Sequence, residues 1–296
     1  MPSPVPAGFT RGPIMFIGQI QSTNAEATLL QHLWDEAGSY GARIVIVTPA
    51  GPIANPDAER CAALLADWES DSVTVLTVKS RGDAMQPSTV QTIQAATAIL
   101  LLGNSPLHLA SILGGTPLAQ AIRRANAQSK MVCAVGGCAS ILCQHMITFD
   151  STSTTSQPVL HRQRVQFAPG LGIVNRVALD AALLPSGAMQ EATSRLLTAV
   201  AYNPFLVGMS LDQDTGAVIY PDATMEIFGE HNALLVDGAT ITYSNLHEAE
   251  PDLPVSVLGT QTHLLRRGDT FNFDTRQVQP PLPDSAMQRE AVKAAF

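Results

Sequence analysis

The first half of the chain alternates short apolar runs with segments of helical periodicity. Four of these runs are Ile14–Ile17, Arg43–Thr48, Ala98–Leu102 and Met131–Val135, and apolar residues follow one another in each. A strand that is apolar on both sides must be covered on both sides, which is typical of parallel sheets. Helices between parallel strands supply that cover. The alternation therefore predicts a doubly covered parallel sheet with right-handed crossovers.

The segments between these strands, and the strand Ser72–Val78, complete this unit. In Asp57–Trp68, for example, Cys61, Leu64 and Leu65 lie on one helical stripe with Trp68. Such spacing indicates an amphipathic helix that packs on a sheet. The predicted helices are Ala25–Ala37, Asp57–Trp68, Ser88–Ala95 and Thr116–Ala127.

Beyond Tyr202, short strands separated by turn residues replace this pattern, after a helix centred on Met189–Val200. They predict antiparallel pairing. The fold class is therefore α/β: a three-layer sandwich with a mainly parallel sheet, extended by antiparallel strands in the C-terminal third. We expect a flexible N-terminus over residues 1–11, a single domain over 12–278 and a tail over 279–296. The predicted late strands are Leu206–Leu211, Ala217–Tyr220, Met225–Phe228, Ala233–Val236, Thr240–Tyr243 and Val255–Leu258.

Composition excludes several functions. The net charge of −8 gives no electrostatic footprint for a nucleic-acid partner. No apolar run reaches the roughly 20 residues needed to span a membrane. The four cysteines form no Cys-x-x-Cys pair, which favours reduced thiols and a cytoplasmic location. The histidines have no metal-ligand spacing, and no phosphate-binding or dinucleotide motif is present, so the sequence predicts no metal site and no cofactor.

The run Val132–Ile141 has the outline of a nucleophile elbow: an apolar strand, a Gly-rich turn and small residues that open a predicted helix, Ser140–Ile147. In hydrolases of this outline the nucleophile stands at the tip of the turn. Here the tip residues are Gly136 and Gly137, and neither has a side chain that can attack a substrate. The segment predicts an active-site frame without its nucleophile.

Two further loops, Gly18–Ser22 and Gly103–Ser111, follow predicted strands as the elbow does. In open α/β sheets, ligands gather beyond the carboxyl ends of the strands. These three loops are therefore the expected ligand site.

Eight blocks, in order and spacing, resemble the cyanophycinases, serine hydrolases of the S51 peptidase group whose fold is related to the class I glutamine amidotransferases. The likeness covers about residues 12–278. The resemblance implies cleavage of cyanophycin, a poly-aspartate with arginine on each side chain, into aspartyl-arginine dipeptides, and it suggests a homodimer. The blocks are Gly12–Gly18, Ser80-Arg81-Gly82-Asp83-Ala84, Leu101–Leu118, Gly170-Leu171-Gly172, Arg195-Leu196-Leu197, Asp212-Gln213-Asp214-Thr215, Thr242-Tyr243-Ser244-Asn245 and Phe271–Arg276.

The same resemblance implies a serine nucleophile, a histidine base and an acidic partner. The serine falls on Gly136, or on Gly137 after a shift of one residue; the histidine falls on Ala182 and the acid on Gln213. Without these groups no acyl-enzyme forms, no base takes the proton and no charge stabilises an imidazolium. Asp180 is retained, as a carboxylate that could hold a guanidinium or as a helix-start residue.

Three hypotheses follow. The first is a pseudoenzyme that binds cyanophycin or its dipeptide, or pairs with an active paralogue of the pathway. The second is an active hydrolase that uses Cys138, where a helix start would favour the thiolate. The third is a structural subunit without a ligand. The expected ligand-binding residues are Asn104, Ser105, Gly137, Cys138 and Asp180.

Overall fold

A computed structural model describes residues 4–50, 56–148, 165–180, 189–248 and 255–281. Its helices are α1 (Thr23–Glu36), α2 (Pro56–Asp67), α3 (Arg81–Ala84), α4 (Pro87–Ala95), α5 (Pro106–Leu113), α6 (Pro117–Ala127) and α7 (Met189–Tyr202), with 3₁₀ helices at Ser39–Gly41 and Gly136–Leu142. Its early strands are β1 (Ile14–Ile17), β2 (Arg43–Pro49), β3 (Ser72–Val78), β4 (Ala98–Leu102), β5 (Met131–Val135), β6 (His145–Thr148), β7 (Gln166–Pro169) and β8 (Val177–Asp180). Its later strands are β9 (Val207–Leu211), β10 (Thr215–Ile219), β11 (Thr224–Gly229), β12 (Ala233–Asp237), β13 (Tyr243–Ser244), β14 (Val257–Leu258), β15 (Gln261–Leu265), β16 (Thr270–Asn272) and β17 (Gln277–Gln279).

The main sheet has nine strands in the order β17-β16-β11-β10-β1-β5-β4-β2-β3. Five neighbouring strands, β1, β5, β4, β2 and β3, pair in parallel. The other four, β10, β11, β16 and β17, pair antiparallel with one another, and β10 also pairs antiparallel with β1. β1 joins the two halves, since Ile17 lies beside Val135 of β5 on one side and Gly216 of β10 on the other. This confirms the predicted parallel sheet with an antiparallel extension.

Alternate residues of the parallel strands enter two different cores, as the period of a strand requires. Cys133 of β5 packs in the core that contains Leu29 and Leu33 of α1. Its neighbour Val132 packs in the opposite core, with Ile122 of α6. Every residue of β1, β4 and β5 is buried, so the helices form the outer layers of a three-layer sandwich.

The late strands are divided between two sheets, a division that the sequence prediction of antiparallel strands did not specify. β15, β12, β9 and β8 form a separate four-stranded sheet in that order, with β8 parallel to β9. Leu196 and Val200 of α7 pack against this sheet and share a core with Val236 of β12. Strand periodicity gives the buried face of each strand but not its partner, so it could not assign β9 and β10 to different sheets.

The segment after the elbow is a correction. The predicted helix Ser140–Ile147 is wrong: a 3₁₀ helix ends at Leu142, and β6 then pairs antiparallel with β7. Cys143 has an extended ψ of 155°, which breaks the helical path. The loop predicted over residues 103–111 is also shorter than expected, because Ser105 caps α5 and Pro106 begins it.

Most other predicted elements agree to within a few residues. Thr116 caps α6, and Pro117 occupies its first turn as expected. The predicted strands Thr240–Tyr243 and Val255–Leu258 shrink to the two-residue pair of β13 and β14. Within the described ranges, no helix combines the length and apolar character needed to cross a membrane.

Candidate functional site

The tip of the elbow is Gly136, the first residue after β5. Its φ of +63° lies in the left-handed region, which residues with a side chain enter only under strain. A Cβ built on Gly136 would meet no atom within 4 Å. A left-handed backbone with open space around the side-chain direction is what a nucleophile elbow provides at its tip. Gly136 therefore has the backbone conformation and the free space of a nucleophile position, but it has no side chain.

The side-chain direction of Gly137 is blocked, whereas that of Gly136 is free. A Cβ on Gly137 would lie 2.9 Å from the backbone oxygen of Asn104, closer than real contacts allow. The elbow therefore packs its second glycine against the segment that follows β4. Of the two candidate tip residues, only Gly136 has room for a side chain.

Asn104 and Ser105 lie beside the elbow because β4 and β5 are neighbours in the sheet. Both residues are exposed. The Ser105 hydroxyl accepts a hydrogen bond of 3.2 Å from the backbone N–H of His108, so it caps α5. The backbone of Asn104 contacts Gly137, and the residue is exposed beside the elbow.

Cys138 is fully buried in the main core, and its Sγ would lie 3.7 Å from a Cβ added to Gly103. Burial raises the pKa of the Cys138 thiol to about 12. Only about one molecule in 10⁵ would then carry the thiolate at pH 7. Ser140, the hydroxyl nearest the turn, is also fully buried, and its Oγ has no hydrogen-bond partner among the described residues. Both side chains are therefore shielded from solvent.

Gln213 lies at the same edge of the sheet as the elbow. It precedes β10, whose Gly216 pairs with Ile17, and Ile17 in turn lies beside Val135. β10 and β5 are two strands apart, a lateral distance of roughly 10 Å. The backbone oxygen of Gln213 accepts a hydrogen bond of 2.9 Å from Nδ1 of His231. Ala182, the third position of the implied triad, lies outside the described residues.

Asp180 is the last residue of β8. It is buried, and its Oδ2 accepts a hydrogen bond of 2.9 Å from Nε of Arg195 on α7. The side chain of Arg195 is itself only 11% exposed. The guanidinium that Asp180 holds is therefore supplied by the chain itself.

Sequence reasoning missed a cluster formed by Asp214, Glu230 and His231. One potential ligand atom from each lies within 4.8 Å of the others. The register of β10 and β11 brings them together, because Thr215 pairs with Gly229 and the next pair outward is 214 and 230. The signal was present in the sequence only as the two predicted strands of this hairpin, not as a spacing between ligands.

Sequence comparison finds relatives that are described as cyanophycinases. No family model matches the chain. A cyanophycinase of Geminocystis herdmanii is 27% identical over 272 residues, which cover 91% of this chain and 96% of the relative. A cyanophycinase of Thermosynechococcus vestitus is 28% identical over 284 residues, covering 92% of this chain and 84% of the relative.

Two solved structures share the fold. A peptidase from an acI-B1 actinobacterium superposes with a TM-score of 0.63 at 21% identity, covering 90% of this chain and 98% of the other. A protein of Listeria monocytogenes EGD-e described as a putative peptidase E has a TM-score of 0.50 at 10% identity, covering 74% of this chain and 99% of the other. At these identities the likeness concerns the fold alone.

Proposed function

We propose that this chain, a homologue of the cyanophycinases, is a pseudoenzyme that binds cyanophycin or its aspartyl-arginine dipeptide without cleaving it. The observation that carries the proposal is Gly136. Its left-handed φ and the free space around its side-chain direction fit the place of a serine nucleophile, yet no side chain is there. The frame of a hydrolase is kept where its attacking atom is missing.

The two other implied triad positions support the same conclusion. Gln213 has no charge with which to stabilise an imidazolium, and Ala182 cannot take a proton. Loss of one member already removes most of the catalytic effect of a triad, because its members act as a unit. Three simultaneous replacements leave only binding for this site to contribute.

A rescue by Cys138 is disfavoured. The thiol is fully buried, and its raised pKa keeps it protonated at neutral pH. Cys138 also lies in a short 3₁₀ helix, Gly136–Leu142, and not at the start of an α-helix. An α-helix dipole therefore does not stabilise its thiolate. The second hypothesis is therefore not adopted.

Binding of the polymer is proposed at the edge of the main sheet where the elbow lies. The empty tip at Gly136 leaves room for a substrate group in place of a nucleophile. Asn104 stands exposed beside it and offers an amide, which can pair with a peptide carbonyl or with a carboxylate. Four free and buried cysteines support a reducing compartment, and we place the protein in the cytoplasm. Pairing with a second copy or with an active paralogue is part of the proposal.

Co-sedimentation with insoluble cyanophycin tests the binding. The full chain is expected to pellet with the polymer in a saturable manner, and Asn104→Ala is expected to weaken the association several-fold. The matched control is Gln128→Ala, an exposed amide between α6 and β5, at the opposite edge of the sheet. No pelleting of the folded chain would refute the binding half of the proposal and favour a structural subunit.

A further inference from the structure

The open end of the β10–β11 hairpin gathers three side chains that can bind a metal ion. Asp214 precedes β10, while Glu230 and His231 follow β11. Their potential ligand atoms lie within 4.8 Å of one another. Asp214 is buried, whereas Glu230 and His231 are exposed, so the cluster is fixed at one side and open to solvent at the other.

The charges of this cluster call for a cation. Two carboxylates face each other, and among the described residues neither Asp214 nor Glu230 forms an ion pair with a lysine or arginine. Like charges on neighbouring positions of a sheet destabilise it. A bound divalent cation would reverse that repulsion into attraction.

The hydrogen bond of His231 leaves one ring nitrogen able to bind a metal ion. A carbonyl oxygen can only accept, so the 2.9 Å contact with Gln213 places the proton on Nδ1 of His231. Nε2 then keeps its lone pair. Metal-binding histidines commonly donate their second ring nitrogen to a carbonyl in this way, which fixes the tautomer and the ring direction.

Asp214 is held in place by two backbone donors. Its Oδ1 accepts hydrogen bonds from the N–H groups of Gln21, at 2.7 Å, and Ser22, at 3.3 Å. No hydrogen bond from the described residues ends on Oδ2. One oxygen therefore positions the carboxylate, and the other can bind a metal ion. Hydrogen bonds of this kind orient the ligands of many metal sites.

We propose that Asp214, Glu230 and His231 bind one divalent transition-metal cation, with Zn²⁺ preferred. One nitrogen and two oxygens suit Zn²⁺ or Mn²⁺ better than Mg²⁺, which favours oxygen ligands and bound water. Ligand atoms at about 2.0–2.2 Å from an ion lie at most about 4.4 Å apart. Rotation of the exposed Glu230 and His231 side chains closes the small remaining gap. The cluster lies at the same edge of the main sheet as the elbow, through Gln213, but metal binding by it does not depend on polymer binding.

Calorimetric titration of the untagged, chelator-treated full chain tests this site. ZnCl₂ is expected to bind with one high-affinity ion per chain, and MnCl₂ more weakly, as the Irving–Williams order predicts. MgCl₂ should bind most weakly, because Mg²⁺ favours oxygen ligands and bound water. His231→Ala and Glu230→Gln should each lower the Zn²⁺ affinity roughly tenfold or more. Both side chains are exposed, so the variants should fold, and circular dichroism checks that they do.

The matched controls are His247→Ala and Glu248→Gln, an exposed histidine and an exposed glutamate outside the cluster. They should leave the Zn²⁺ affinity unchanged. Absence of saturable Zn²⁺ binding to the folded chain, or equal losses in the control variants, would overturn the proposal. So would saturable binding of free arginine, weakened in Glu230→Gln, with no Zn²⁺ binding, because that would assign the carboxylates to a guanidinium.

Discussion

Nδ1 of His231 lies 2.9 Å from the backbone oxygen of Gln213, the residue on which the resemblance to the cyanophycinases places the triad acid. The contact uses the backbone of Gln213 and not its side chain. Side-chain replacements at this position therefore leave the histidine in place. Gln213→Glu can be made as a probe of the triad without disturbing the hairpin end.

Restoring the triad should restore cleavage only when all three members return. Gly136→Ser, Ala182→His and Gln213→Glu together are expected to give slow release of aspartyl-arginine from cyanophycin. The double variant Gly136→Ser/Gln213→Glu is the control, and it should stay inactive because it has no base. Dipeptide release is followed by chromatography. Equal activity of the double and triple variants would contradict the assignment of Ala182.

Gly136→Ala should destabilise the fold only by the strain of a left-handed residue, about 1–2 kcal/mol. Gly115→Ala is the matched control, since Gly115 has φ +73° and also nothing within 4 Å of a built Cβ. Urea unfolding should give similar losses for the two variants. A loss for Gly136→Ala larger by 2 kcal/mol or more would mean that the tip is filled, against the open space described.

Asp180→Asn should be strongly destabilising, by about 3–5 kcal/mol, because it removes the buried carboxylate charge that pairs with the nearly buried guanidinium of Arg195. The exposed pair Arg43–Asp71 supplies the control: Asp71→Asn should cost less than about 1 kcal/mol. Denaturant unfolding measures both. If Asp180→Asn proved as mild as Asp71→Asn, Asp180 would be a ligand residue rather than a structural one.

Cys138 should resist thiol reagents. Its burial predicts very slow labelling at neutral pH in the native state and rapid labelling after unfolding. Mass spectrometry after alkylation identifies the modified cysteine, and Cys138→Ala confirms the assignment. Preferential labelling of Cys138 in the folded protein would revive the cysteine-hydrolase hypothesis.

Alkaline pH should destabilise the protein in part through the same thiol. The pKa of Cys138 is raised from 9.0 to about 12, so above pH 9 the unfolded thiol loses its proton while the folded one keeps it. Stability therefore falls from pH 9 towards pH 12, by up to about 4 kcal/mol for this group. The slope of unfolding free energy against pH should be smaller in Cys138→Ala. An unchanged slope would contradict the burial of the thiol.

Much of the fold could be predicted from the sequence because apolar runs and helical stripes are local signals. The four apolar runs became β1, β2, β4 and β5, and the predicted helices recur as α1, α2, α4 and α6. Partner choice is not local. The assignment of β9 and β10 to different sheets depends on contacts that no single segment encodes.

In the candidate site, too, local features could be predicted from the sequence and non-local contacts could not. The elbow was visible as a glycine turn after a strand, but the distinction between Gly136 and Gly137 needed φ and the contact with Asn104. Asp180 looked available in the sequence because its partner Arg195 lies fifteen residues away. Asp214 and His231 meet through a hairpin, and only the register of that hairpin places them together.

Release of soluble aspartyl-arginine from cyanophycin by the pure wild-type chain is the most direct test of the central claim. The cyanophycinase of Geminocystis herdmanii, assayed in parallel, serves as the active reference. The wild-type chain is expected to release no dipeptide above a mock purification while it still binds the polymer. Steady release that persists through purification and is absent from the mock would contradict it.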